Sequence, residues 1–177
     1  GLEGRWMGRL LPHTRLLIEP SEMALAHAAR KYGIPSDRLC VIPGAVDTAR
    51  FDPGRSLPDG RARLHLKPDA LLVGIVARMQ THRHYEDLFL AFRELREMRP
   101  KAHLVVIGRG TKQETVALAP VKRLGLEDCV HFTGYLDGDD YVGTLRALDI
   151  GVFLVPGSDG TCRAARELLA MGCPMVV

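Results

Sequence analysis

The chain has 177 residues, enough for one domain with a real core. Hydrophobic residues at 46% and charged residues at 25% are the proportions of a soluble globular protein, and no run approaches the roughly 20 apolar residues of a membrane span. A formal net charge of +3 gives no case for a nucleic-acid partner, but it is compatible with a localised pocket for a phosphorylated ligand.

In chain order, Leu16-Leu17-Ile18 reads as a strand, and Pro20-Ser21 opens a helix that stops at Gly33 with Pro35 beyond it. Leu39 to Ile42 is a second short strand. From Asp47 to Asp69 the chain is rich in Pro, Gly, Asp and Arg without a clear period, and reads as loop or linker. A regular alternation follows. Strand Leu71–Val76 leads to a helix from about Tyr85 to Met98, with Leu88, Phe92 and Leu95 on one face. Strand Leu104–Ile107 leads to a helix Lys112–Leu124 that Pro120 is expected to bend or break. Then come strand Val130–Phe132, a helix Asp140–Leu148, strand Ile150–Leu154, a helix Thr161–Met171 closed by Gly172, and a strand from Met175. Strands that are apolar throughout belong to a sheet covered on both faces, and strands alternating with helices imply a parallel, doubly wound α/β sheet. Because the last residues read as a strand, the chain is expected to be a fragment of a longer protein.

An open parallel sheet binds ligands at the carboxyl ends of its strands. Three turns there carry suitable residues. In Ala77-Arg78-Met79-Gln80-Thr81-His82-Arg83-His84, two arginines five apart can converge on one anion, or can be solvated loop charges. Gly108-Arg109-Gly110 begins like a dinucleotide fingerprint, but Gln113 stands where a third glycine is expected. That turn suits either a tight strand-to-helix connection or close passage of a nucleotide base. The third turn, Pro156-Gly157-Ser158-Asp159-Gly160-Thr161-Cys162-Arg163, puts small and polar residues at a helix start, where free N–H groups and the helix dipole favour a diphosphate. Glu167 lies roughly 9 Å into that helix, placed either to hydrogen-bond a sugar hydroxyl or to face solvent.

Other chemistry finds little support. There is no phosphate-loop motif and no H-E-x-x-H pair. Asp137-Gly138-Asp139 has a D-x-D form, but its place before Tyr141, Leu145 and Leu148 favours helix capping over a metal site. The seven histidines are dispersed, with no Ser/His/Asp arrangement. The four cysteines, Cys40, Cys129, Cys162 and Cys173, form no C-x-x-C pair and read as reduced, packed thiols of a cytoplasmic protein.

Taken together and in order, these pieces resemble the C-terminal domain of the retaining group-1 glycosyltransferases, which have two facing Rossmann-like domains (the GT-B fold). Val41-Ile42-Pro43-Gly44-Ala45-Val46-Asp47, with Phe51 and Pro53, resembles the family's V-I-P-N-G-V-D…R-F-x-P stretch. Arg78 and Arg83 stand where the family has the Arg and Lys that grip the donor diphosphate. Val106 to Gly110 is similar to its V-G-x-G turn, and Val130-His131-Phe132-Thr133-Gly134 to its V-x-F-x-G element near the donor base. Asp159 through Glu167, then Ala170 to Val177, resembles the E-x7-E helix and the G-x-P-V-V strand. There are departures. Asp159 replaces the first Glu, Arg83-His84 replaces Lys-Gly, Ala77 replaces Gly, and Thr161-Cys162-Arg163 replaces a small apolar run.

The resemblance implies residues 1–52 as the end of a preceding domain and the crossing from it, 53–70 as a linker, and 71–177 as a nucleotide-sugar-binding domain cut short at its C-terminus. It implies a parent that transfers a sugar, of hexosyl type, from a nucleotide diphosphate to an acceptor hydroxyl, with retention and without metal or other cofactor. The catalytic set would be Arg78, Arg83 and Asp159. The donor-binding set would add Gly108, Gly134, Gly160, Thr161, Cys162 and Glu167. The implied partners are the nucleotide sugar and the missing N-terminal domain, with a cytoplasmic parent that peripheral membrane association at the inner face would also suit. The alternative is a nucleotide-binding module that catalyses nothing, which Asp159 favours.

Overall fold

In the computed structural model, residue 6 and residues 8–154 and 163–177 are described. They fall into two compact units, one running up to Ala45 and the other comprising the residues from Val46 and Ala164–Val177.

The first unit holds two short parallel strands, β1 (Leu17–Glu19) and β2 (Leu39–Val41), joined through helix α1 (Glu22–Tyr32). The Ser21 hydroxyl accepts from Ala24 N at 3.2 Å and caps α1, and Gly33 ends it in the left-handed region at φ 64°. Ile18, Met23 and Ile42 are exposed, and within this unit's described residues only Ala28 and Ile34 are buried.

The second unit is the regular part. It contains the short helix α2 (Gly60–Arg63), β3 (Leu71–Val76), α3 (Tyr85–Met98) and β4 (Ala102–Ile107). Helix α4 (Ala119–Arg123), β5 (Val130–Gly134), α5 (Gly138–Arg146), β6 (Ile150–Val152), α6 (Arg163–Ala170) and β7 (Met175–Val176) follow. The five strands β3–β7 pair in parallel in the order β5-β4-β3-β6-β7. This is the expected α/β, doubly wound, Rossmann-like sheet.

Side-chain alternation explains why the strands are apolar at nearly every position. Val73, Ile75, Leu104 and Val106 face a core closed by Tyr85, Leu88, Phe89 and Phe92 of α3 and by Val121 of α4. Leu72, Val105 and Ile107 face a second core, closed by Val142 and Leu145 of α5 and Leu168 and Met171 near α6. Each large side chain buried this way contributes about 1.5–3 kcal/mol. Both faces of the sheet are therefore covered.

The helix expected to bend or break at Pro120 changes its winding just before that residue. A π-helical turn over Glu114–Leu118 runs straight into α4, and the wider turn makes room for a residue that has no N–H to donate. The stretch read as loop or linker is mostly loop, with one short helix, but it packs into the second core. Asp59 caps α2 by accepting from Arg61 N at 2.8 Å and Ala62 N at 3.2 Å, while Phe51, Leu57, Leu64 and Leu66 pack in the second core. The Arg146 guanidinium on α5 donates to the carbonyls of Arg55 and Leu57, both at 2.9 Å. The compact unit accordingly begins at Val46, whereas the sequence places the domain from residue 71, after a linker over 53–70. Composition hid this, because the stretch is held by scattered apolar residues and arginines that follow no period.

Candidate functional site

Strand order reverses beside β3: β4 and β5 lie on one side, β6 and β7 on the other. At such a switch point the loops leaving adjacent strands diverge and open a crevice at the carboxyl ends. A small, partly open recess lies there, lined by Ile75, Val76 and Ala77 of the β3 end, Phe153 and Leu154 beyond β6, and Arg83.

Arg83 closes a single 3-10 turn, Thr81–Arg83, that carries the chain from the β3 loop into α3. It is half-buried, and its Nε is buried with no hydrogen-bond partner among the described residues. An unmet buried donor costs about 1–3 kcal/mol, so it is tolerated where something else is meant to meet it. Beside it, Tyr85 is buried and donates to Ala77 O at 3.1 Å, and burial raises its phenol far above the ordinary value despite the Arg83 charge. Arg78 lies in the same β3–α3 connection and is exposed. His84, directly after Arg83, sits in the left-handed region at φ 53°, its Nδ1 3.2 Å from Asp87 Oδ2. A side chain at that conformation costs about 1 kcal/mol.

Gly108 and Gly134 are brought together: Gly108 N donates to Gly134 O at 2.9 Å. The β4 turn is also zipped to the β3 turn by Ala77 N to Ile107 O at 3.1 Å and Met79 N to Arg109 O at 3.3 Å. A Cβ on Gly108 would stand 2.4 Å from Ala77 O, and one on Gly110 2.1 Å from Met79 O. Close approach of the two loops explains both glycines, so the G-x-G form follows from loop packing and needs no ligand.

Glu167 does not face solvent. It lies on α6 with 4% exposure, and Tyr141 Oη on α5 donates to its Oε2 at 2.6 Å. The Tyr141 ring meets Phe51 edge-on at 6.2 Å. Tyr141 drew attention in the sequence only as an apolar helix position. Its phenol among Val142, Leu145 and Leu148 was the available signal, because a buried tyrosine needs a partner. Asp159, Gly160, Thr161 and Cys162 lie outside the described residues.

The remaining candidates have other occupations. Asp137 stands at the N-cap of α5 without a side-chain cap bond, so its expected capping role is positional only. Asp139 pairs with Arg55 at 3.0 Å and Asp140 with Arg63 at 3.0 Å, which commits the D-x-D region to folding. The histidines are less dispersed than the sequence suggests: His103 Nδ1 and His131 Nε2 lie 3.0 Å apart across β4 and β5. Burial lowers the pKa of both. Burial also pushes the Cys129 thiol up to about 11, as expected of a packed, unreactive cysteine.

Comparison with known proteins bears on the whole arrangement. The family described as glycosyl transferases group 1 matches residues 58–177. Mannosylfructose-phosphate synthase of Agrobacterium fabrum is 31% identical over 169 residues, covering 92% of this chain and 37% of that protein. A D-inositol 3-phosphate glycosyltransferase of Actinosynnema mirum is 32% identical over 170 residues, covering 90% of this chain and 40% of its own length. Among solved structures, Anabaena HepE in complex with UDP-glucose superposes with a TM-score of 0.80 at 20% identity, over 98% of this chain and 48% of that one. The chain thus spans less than half the length of each of these relatives.

Proposed function

The chain belongs to the group 1 glycosyl transferases, and from that premise we propose that it is the donor-binding part of an enzyme that moves a hexosyl group from a nucleotide diphosphate to an acceptor hydroxyl, with retention and without a metal ion. The observation that carries this reading is the cleft at the strand-order reversal, with the buried, unpartnered Nε of Arg83 on its wall. Structures of HepE with UDP and with UDP-glucose share this fold, which supports a nucleotide diphosphate as the occupant.

The chemistry follows from charge. As the bond from the sugar to the diphosphate breaks, negative charge gathers on the leaving diphosphate. Arg78 and Arg83 offset it as pre-placed cations, which takes the part a metal ion plays elsewhere. The loops held together at Gly108 and Gly134 lie beside the base in this reading, Glu167 holds the ribose, and Asp159 with Gly160, Thr161 and Cys162 contacts the sugar and diphosphate. Among the described residues the free cysteines Cys129 and Cys173 are buried, which suits a cytoplasmic parent, and peripheral association at the inner face of a membrane would also suit it.

A donor cleft alone cannot orient an acceptor. Orientation is worth up to about 7–11 kcal/mol of barrier, so the chain by itself has no transferase activity in this reading. The replacement of Glu by Asp159 favours a second reading, a nucleotide-binding module without catalysis. Titrating the full-length protein with UDP, with and without chelator, tests the donor site; strict metal dependence would overturn it. Nucleotide release from a UDP-sugar, with and without a sugar acceptor, separates enzyme from module.

A further inference from the structure

We infer that Tyr141 is a positioning residue for donor recognition: its phenol fixes the Glu167 carboxylate in the orientation that receives the ribose hydroxyls. This rests on the reading of Glu167 as the ribose ligand.

The geometry is specific. The two side chains reach each other from different helices, α5 and α6, and meet at 2.6 Å, a short bond of the kind a phenol gives to a carboxylate. Both ends are seated. Tyr141 is 9% exposed and held edge-on by Phe51, itself 4% exposed, and Glu167 is 4% exposed beside the fully packed Leu168. A carboxylate has room for about four hydrogen bonds, so the phenol orients it without exhausting its capacity.

Stability alone gives a poor account of this pair. A phenylalanine at 141 and a leucine at 167 would fill a core already made of Val142, Leu145, Leu168 and Met171. Replacing buried polar or ionic partners by apolar side chains of similar size is often neutral or stabilising. Here a buried carboxylate is kept, and the Tyr141 phenol is aimed at it. The burial also limits where Glu167 can point, so a change of tens of degrees in its carboxylate plane depends on what holds it. In this chain that includes Tyr141.

The test compares UDP with 2′,3′-dideoxy-UDP on the full-length protein, because the two ligands differ only in the ribose hydroxyls. Calorimetric titration of wild type should show tighter binding of UDP. Tyr141→Phe keeps the ring against Phe51 and removes only the donor. It should weaken UDP by about 5–10-fold, less than the loss of a direct charged contact because it reaches the ribose only through the carboxylate, and leave the dideoxy ligand unchanged. In a Glu167→Ala background the same substitution should add nothing, since the two act as a unit. A general loosening of the fold would instead weaken both ligands alike, and that result overturns the inference. Full retention of UDP preference in Tyr141→Phe overturns it as well, while the donor-site reading survives. Wild type that binds UDP but ignores the ribose hydroxyls removes the Glu167 premise itself, and with it this role for Tyr141. Failure of wild type to bind UDP at all counts against the donor-site reading for this base.

Discussion

The two ends of the parallel sheet treat charge in opposite ways. At the amino ends of the strands, Arg61 pairs with Asp149 at 2.7 Å, Arg96 pairs with Asp128 at 3.0 Å, and Lys101 meets Asp69. These groups also serve the backbone: Asp149 accepts from Leu72 N at 2.7 Å, and Arg96 donates to Ala102 O at 3.0 Å. At the carboxyl ends, Arg78, Arg83 and Arg109 make no ion pair among the described residues. One end spends its charges on holding strands in place. The other leaves cations outside ion pairs, one of them, Arg83, on the wall of the cleft, which is the state an anion-binding site needs before its ligand arrives.

The sharpest way to break this contrast is Arg83→Ala in the full-length protein. A charge-assisted contact of about 1.5–3 kcal/mol translates to a loss of roughly 10- to 150-fold in UDP affinity, with uridine hardly affected. Equal losses for both ligands would mean that Arg83 acts on the fold and not on phosphate. At the opposite end, Asp149→Ala should leave UDP binding alone and lower unfolding free energy by about 1–2 kcal/mol, because Leu72 N–H is left buried without an acceptor. The low end of that range is expected, since the Asp149 side chain is 41% exposed. Denaturant titration reads this directly, and an unchanged midpoint would contradict it.

His84→Gly is a smaller change. It removes the strain of a left-handed residue but adds freedom to the unfolded chain, for a net gain of about 0.5 kcal/mol. A lower melting temperature would show that the His84–Asp87 contact outweighs the backbone term. The slightest effect is expected from the His103–His131 pair. Burial favours the neutral form of each, so their folded pKa values lie below the unfolded value near 6.5. The unfolded chain then binds more protons in acid, and stability is full above pH 6.5 and declines as pH falls through the folded values. Asp128 and Arg96, the charged groups beside them, pull in opposite directions. Denaturation at pH 7.5 and 5.5 with His103→Asn as control measures the slope, which should flatten in the variant.

The sheet was legible in the sequence because its strands are long apolar runs and its helices repeat a clear period. Sheet order added what periodicity cannot: that the cleft lies between the ends of β3 and β6. Arg83 could be picked out by residue type, but its buried Nε depends on a turn geometry that no local pattern encodes. Glu167 is singled out by spacing, whereas its partner Tyr141 is 26 residues away and could be linked only by the packing of two helices. The histidine pair was missed for the same reason, since strand register and not sequence distance brings the two rings together. The Gly108–Gly110 turn was found, but its cause is the neighbouring loop.

The clasp of residues 46–70 on α5 bears on how this protein should be cut and recombined. A domain transplanted from Leu71 onward, where the sheet begins, would leave behind Phe51, the carbonyls that receive Arg146, and the arginines that answer Asp139, Asp140 and Asp149. Such a chimera would keep every strand and still expose one side of its core. A junction ahead of Val46 carries the clasp with it, and should be the one at which domains of different relatives can be exchanged as working parts.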